Sequence, residues 1–190
     1  MFKEYLNQYN QEIISTLNGL DASEFEKFIN ILVEAYKKDK QVFIAGNGGS
    51  AGTANHFVCD FGKNAVLQEG KRRFRIISLC DNIEKITALG NDIAFDEIFK
   101  QQLINLMDNE DVLILVSASG NSPDLVKACE YAKTKNARIV ALSGFQGGKI
   151  KEYAQANLIA PLTSYEQIED IHLVILHMVV YFMKSHPELL

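Results

Sequence analysis

A chain of 190 residues, 47% hydrophobic and 23% charged, has the length of about one globular domain, and that balance excludes a disordered chain, a collagen-like fibre and a disulfide scaffold. The net charge of −5, from 19 basic and 24 acidic residues, argues against duplex nucleic acid as the main partner, which calls for clustered Lys and Arg. Cys59, Cys80 and Cys129 are widely spaced and odd in number, as expected of reduced thiols in a cytoplasmic protein. Phe2, Tyr5, Leu6, Tyr9, Ile13, Ile14 and Leu17 recur at three and four and predict a first helix; the same segment lacks the apolar core of a secretory signal. Asp21-Ala-Ser-Glu24 reads as an acidic capping box. Phe25, Phe28, Ile29, Leu32 and Tyr36 then predict a second helix, which ends in the basic turn Lys37–Lys40.

From residue 41 the pattern changes. The short apolar runs Gln41–Ala45, Phe74–Leu79, Val112–Val116, Ala137–Leu142 and Asn157–Ala160 predict five strands. Ala51–Phe61, Phe95–Met107, Asp124–Thr134 and Gln167–Met183 predict helices between and after them. Buried strands alternating with helices predict right-handed βαβ units and a parallel sheet. Gly62–Arg73 reads as an exposed loop, and Lys71, Arg72, Arg73 and Arg75 form the one basic cluster beyond Lys37–Lys40. Leu173–Met183, interrupted by His177, is the most apolar stretch and is shorter than the ~18 residues of a membrane span.

Four segments carry chemistry. Gly46-Asn-Gly-Gly-Ser50 follows a strand and precedes a helix, so its glycines allow a tight turn and the helix start offers free N–H groups to an anion. It lacks the Gly-Lys-Ser/Thr of a P-loop and the spaced glycines of a dinucleotide fingerprint. Ser117-Ala-Ser-Gly-Asn-Ser122 stands in the same setting with three hydroxyls, which can grip a phosphate without a lysine; Ser122 alone could serve as a helix cap. Two such loops at the carboxyl ends of parallel strands predict a phosphorylated small-molecule site. His56 and Asp60, four apart, share a helix face and suit a metal or an acid–base couple. On the last helix His177 lies nearly in line with Asp170 and within a quarter-turn of Glu169, whereas His172 reads as a satisfied core residue.

FIAGNGGSAGTANHF, ITALGND, VLILVSASGNSPDLVKA, IVALSGFQGGKI and IEDIHLVILH, in that order, resemble the phosphoheptose isomerase group of the sugar isomerase (SIS) domain family. The resemblance implies a single three-layer α/β SIS domain over 1–190: a five-stranded parallel sheet flanked by helices over 41–190, and an N-terminal helical pair, 1–40, used in assembly of a homotetramer. It implies isomerisation of sedoheptulose 7-phosphate to D-glycero-D-manno-heptose 7-phosphate, on the way to activated heptose for surface polysaccharide. Carried over by position, Asn47, Gly48, Gly49, Ser50, Asn91 and Asp92 would touch substrate. Ser117, Ala118, Ser119 and Ser122 would hold the phosphate. His56, Asp60, Glu169 and His177 would bind one zinc or other divalent ion per subunit, with Asp60 as base, His177 as acid and Glu169 also facing substrate.

The chain departs from the group's pattern at several of these places. Asp60 stands for Glu, Glu169 for Gln and Ala118 for Thr, and no Arg follows the base in Phe61-Gly-Lys-Asn64. Glu169 and His177 are eight residues apart, about 12 Å of helix rise, so both reach one ion only if the helix bends, the side chains converge or another subunit contributes. Two other readings stand beside the isomerase: an isomerase of a different sugar phosphate, and a phosphosugar-sensing or partner-protein-binding module. Both histidines and an acidic residue at the base position speak against the module.

Overall fold

The two leading helices form where the apolar spacing places them: α1 over Phe2–Asn18 and α2 over Ala22–Lys37 of a computed structural model that describes residues 1–190. Asp21 caps α2, its side chain accepting from the Ser23 amide at 2.8 Å. Glu24 does not close the capping box. It pairs with Lys27 and accepts from the main-chain N–H of Asn157 at 2.6 Å, which ties α2 to the last strand. Helix α2 buries Phe28, Ile31 and Leu32, while Phe2, Tyr5, Leu6 and Ile14 of α1 remain 57–76% exposed.

All five predicted strands form: β1 (Gln41–Gly46), β2 (Arg75–Ser78), β3 (Val112–Ser117), β4 (Arg138–Gly144) and β5 (Ala156–Ala160). They are parallel, in the order β2-β1-β3-β4-β5. β1, β3 and β4 are buried on both faces, which is why they read as continuous apolar runs rather than as alternation. Val42, Ile44, Val112, Ile114, Val116, Val140 and Leu142 face a larger core shared with α2, α3 (Gly49–Asn64) and α7 (Tyr165–Ser185). Phe43, Ala45, Leu113, Leu115, Ile139 and Ala141 face a second core with α5 (Ile98–Leu106) and α6 (Pro123–Thr134). Helices, sheet and helices thus make the three layers expected of the resemblance.

Two local readings change. Residues 62–64 are the last turn of α3 and not loop. Helix α4 (Ile83–Asp92) was not predicted: Ile83, Ile86 and Leu89 do recur at three along it, but it is short and has no fully buried residue. A further sequence signal is the cap Asn82, which accepts from the Lys85 amide at 2.8 Å. Just after α4, Glu97 receives Lys127 at 2.8 Å together with Gln101 and Lys100. These donors hold its carboxyl down to about 2 and tie the start of α5 to α6. No helix of the chain is long and apolar enough to cross a membrane.

The strand order has a consequence for the site. β1 and β3 are neighbours, with Gly46 opposite Val116, while the chain leaves β1 outward to β2 and leaves β3 the other way to β4 and β5. The two glycine- and serine-rich loops therefore leave the sheet on either side of the topological switch point, where open α/β sheets bind ligands.

Candidate active site

The 46–50 turn exists because Gly48 takes φ +55°, a left-handed conformation that costs an ordinary residue. Helix α3 begins at Gly49 with no side-chain cap, so its first N–H groups are left for another acceptor. Asn47 donates from Nδ2 to Asp124 Oδ2 at 2.8 Å, which binds this turn to the start of α6. Asp124 is 1% exposed, and burial pushes its carboxyl pKa up while the Asn47 amide and the Leu125 N–H pull it back. Sequence reasoning missed Asp124, because an acidic residue in a first helical turn already has an explanation in the helix dipole.

The 117–122 loop is held by its own hydroxyls and by the next turn of chain. Ser117 Oγ accepts from Gly120 N at 3.1 Å and Ser119 Oγ from Asn121 N at 3.2 Å. Asn121 donates to the Ser119 carbonyl at 2.9 Å and accepts from Lys149 N at 3.1 Å, and Ile150 N donates to the Gly120 carbonyl at 3.0 Å. Gly120, at φ +64°, packs so closely on Gly147 that any side chain there would meet its carbonyl. The Gly-Gly-Lys segment thus braces the loop, a role its sequence did not reveal. Ser122 is the N-cap residue of α6, but its hydroxyl makes no cap bond, and Pro123 takes the first helical position. Ser50 and Ser117 are largely buried and Ala118 offers only a buried methyl and its main chain.

Helices α3 and α7 bring His56, Asp60 and His177 together across the outer face. His56 Nε2 lies 2.9 Å from His177 Nε2, and Asp60 Oδ2 lies 3.3 Å from the first and 3.6 Å from the second. Three donor atoms on a tetrahedral ion with bonds of about 2.0–2.1 Å would be separated by about 3.3–3.4 Å; the two Asp60 separations match this, and the two imidazoles, now at hydrogen-bond distance, would part by about half an ångström to admit an ion with a fourth position open. Two imidazole nitrogens and a carboxylate oxygen are also the donor chemistry zinc accepts. These three residues are the group placed to hold a metal.

Glu169 does not join them. The two turns of α7 between Glu169 and His177 keep them apart, and the Glu169 carboxylate lies against Gly49, where a side chain would overlap it. Within one chain Glu169 therefore sits at the start of α3 beside the glycine turn. Asn91 and Asp92 end α4, exposed; Asn91 Nδ2 donates to Asp92 Oδ1 at 2.8 Å, and no hydrogen bond joins either to the two loops or to the triad. Burial raises the Cys80 thiol and pushes Cys129 to about 12, so neither is a ready nucleophile.

His172 is a core residue, as expected, but not a satisfied one. It is fully buried, and neither ring nitrogen has a hydrogen-bond partner. Burial drives its pKa to about 4, weakly opposed by the nearby Ser143 main chain. Below about pH 6.5 the unfolded chain takes up a proton that the folded chain refuses until about pH 4. Stability is therefore whole above pH 6.5 and falls by roughly 3 kcal/mol as the pH drops to 4. Urea unfolding across this range should give a shallower pH slope for His172→Leu than for the wild type; equal slopes would exclude the effect.

Comparison with known proteins agrees with this geometry. The SIS domain family model matches residues 4–144. The phosphoheptose isomerase of Citrifermentans bemidjiense is 36% identical over 168 residues, 88% of this chain and 86% of its own. That of Helicobacter pylori is 32% identical over 184 residues, 97% and 94% of the two chains. The solved phosphoheptose isomerase of Neisseria gonorrhoeae superposes with a TM-score of 0.86 at 25% identity, covering 97% of this chain and 100% of its own. With its sheet order, its paired loops and its His–Asp–His group, the chain belongs to the SIS domain family, in the phosphoheptose isomerase group.

Proposed function

We propose that this protein is an aldose–ketose isomerase that converts sedoheptulose 7-phosphate to D-glycero-D-manno-heptose 7-phosphate, which supplies activated heptose for surface polysaccharide. The observation that carries the reading is the convergence of His56, Asp60 and His177 within 2.9–3.6 Å in a chain of this group. The length of the site supports a long substrate. Gly49 and His56 are seven residues apart on α3, about 10 Å of rise, so a phosphate at the loops leaves the far end of an extended sugar chain near the triad.

Isomerisation moves a proton between C1 and C2 of the sugar. Asp60 takes the C1 proton, giving an enediol, and returns it at C2; His177 gives a proton to the C2 oxygen and takes one back from the C1 hydroxyl as the C1 carbonyl forms. Asp60 Oδ2 faces the imidazoles, which leaves Oδ1 for the proton. Zinc held by His56, Asp60 and His177 would polarise the sugar carbonyl when bound. Glu169, beside Gly49, is a substrate contact rather than a fourth ligand in this reading. In this reading Gly48, Gly49 and Ser50 line one side of the phosphate and Ser117, Ala118, Ser119 and Ser122 the other, while Asn47, Asn91 and Asp92 are contacts to the rest of the substrate.

A coupled assay with sedoheptulose 7-phosphate, run with and without chelator, tests this. Turnover that falls on chelation and returns with zinc, alongside about one ion per purified chain, is the expected result. No turnover of this substrate would refute the reading, and turnover untouched by chelator in metal-free protein would remove the metal from it. Ala118 in place of a hydroxyl residue is the observation favouring a different sugar phosphate, which a substrate panel in the same assay would reveal.

The exposed Phe2, Tyr5, Leu6 and Ile14 face on α1 supports a homo-oligomer, a tetramer in this reading, because such a patch is buried most simply against another copy. Light scattering at micromolar concentration should give about four times the chain mass; a value near 21.3 kDa would exclude assembly. Reduced Cys59, Cys80 and Cys129 support a cytoplasmic location.

A further inference from the structure

Asn47 has one end of its amide occupied and the other free. Nδ2 donates to Asp124 Oδ2 at 2.8 Å, and Oδ1 accepts from no group of the chain. A carboxylate can only accept, so turning the amide over would set oxygen against oxygen. Asp124 thus decides which end of Asn47 is left to face a ligand. Asp124 is itself held in place: it is 1% exposed, its Oδ1 accepts from Leu125 N at 2.9 Å, and it lies in the first turn of α6, where the helix dipole favours an acidic group. Asn47 stands between Gly46 and Gly48 in the turn after β1, next to the switch point of the sheet.

From this arrangement we infer that Asp124 is a positioning residue: it presents Asn47 Oδ1 as a hydrogen-bond acceptor for a hydroxyl of the sugar. A phosphate oxygen is itself an acceptor and gains nothing from that atom, so Asn47 reads the polyol chain. The phosphate is left to the hydroxyls and free N–H groups of the loops. A site that offers a fixed acceptor to a hydroxyl discriminates strongly against the analogue lacking it, because the acceptor is then left unpaired. The inference rests on the proposed sugar phosphate site and adds the group of the substrate that Asn47 reads and the residue that enforces it.

The test is a double-mutant cycle on the full-length protein: wild type, Asp124→Ala, Asn47→Ala and the double variant, with Asp124→Asn as the conservative control. Each is titrated with sedoheptulose 7-phosphate and with inorganic phosphate. Asp124→Ala should weaken the sugar phosphate about 10-fold, the scale of one hydrogen bond, and inorganic phosphate by less than about twofold. The double variant should bind no more weakly than Asn47→Ala. Asp124→Asn keeps an acceptor for Asn47 Nδ2 and should restore affinity to within about threefold. The inference is overturned if the two losses multiply, if inorganic phosphate weakens as much as the sugar phosphate, or if Asp124→Asn is as poor as Asp124→Ala. A ligand-free readout accompanies the cycle. The side-chain amide protons of Asn47 should exchange more slowly in the wild type and Asp124→Asn than in Asp124→Ala, and equal rates would also overturn it. A wild type that binds the sugar phosphate but does not isomerise it refutes the proposed activity alone and leaves the cycle to judge Asp124.

Discussion

Replacing Asp60 by Asn is expected to lower turnover of sedoheptulose 7-phosphate by about 10²–10⁴-fold without unfolding the protein, the usual range for loss of a positioned base. The amide has nearly the same shape and cannot take up a proton at neutral pH. Asp60 is partly exposed, and its side chain meets His56 and His177 rather than the core, so the fold has little to lose. Asp60→Asn also removes a charged ligand, and metal content must be measured in the same preparation. Lost turnover with metal retained assigns proton transfer to Asp60, whereas lost metal restored by added zinc, with turnover restored too, assigns it a ligand role. Asp60→Glu should keep or raise activity, since it supplies the longer carboxylate of the group's pattern. Turnover by Asp60→Asn at the wild-type rate would end both roles.

The second large effect belongs to the 117–122 loop. In Ser119→Ala with Ser122→Ala, two hydroxyls are lost from the place where the phosphate is proposed to sit. Hydrogen bonds to a charged group contribute about 1.5–3 kcal/mol each, so the pair should cost roughly 3–6 kcal/mol, read as a Michaelis constant raised by about 10²–10⁴-fold. The two positions differ in kind. Ser122 has no partner for its hydroxyl as a cap, so its loss should be felt through ligand alone. Ser119 Oγ also accepts the Asn121 N–H, so its removal loosens the loop as well. A double variant with an unchanged Michaelis constant and a wild-type melting temperature would move the phosphate elsewhere.

The strands, most of the helices and both ligand loops were legible in the chain because each rests on a local signal. Gln41–Ala45 and Val112–Val116 are apolar runs that end in glycine and serine, and that is enough to place a strand, a turn and a helix start. Helix α4 escaped although Ile83, Ile86 and Leu89 recur at three, because ten residues give a stripe of only three positions and none of its side chains is fully buried. The His56–Asp60 pair was legible because four residues along a helix bring side chains to one face. Its meeting with His177 was carried only by family resemblance.

What local spacing determined, then, was the layered α/β architecture and the two loops at the carboxyl ends of strands, since periodicity and turn chemistry act over a few residues. What only the tertiary structure decided was which side chains meet across long separations. His56 and His177 are 121 residues apart, and the packing of α3 against α7 sets the facing of both helices. Within one chain the same packing carries Glu169 to Gly49, with about 12 Å of helix rise between it and His177. Asp124 met Asn47 through sheet order alone: β1 and β3 are neighbours, so the helix start after one strand closes on the turn after the other. His172 looked like any other core position in sequence; its two unpartnered nitrogens follow from what surrounds α7, which no window of sequence contains.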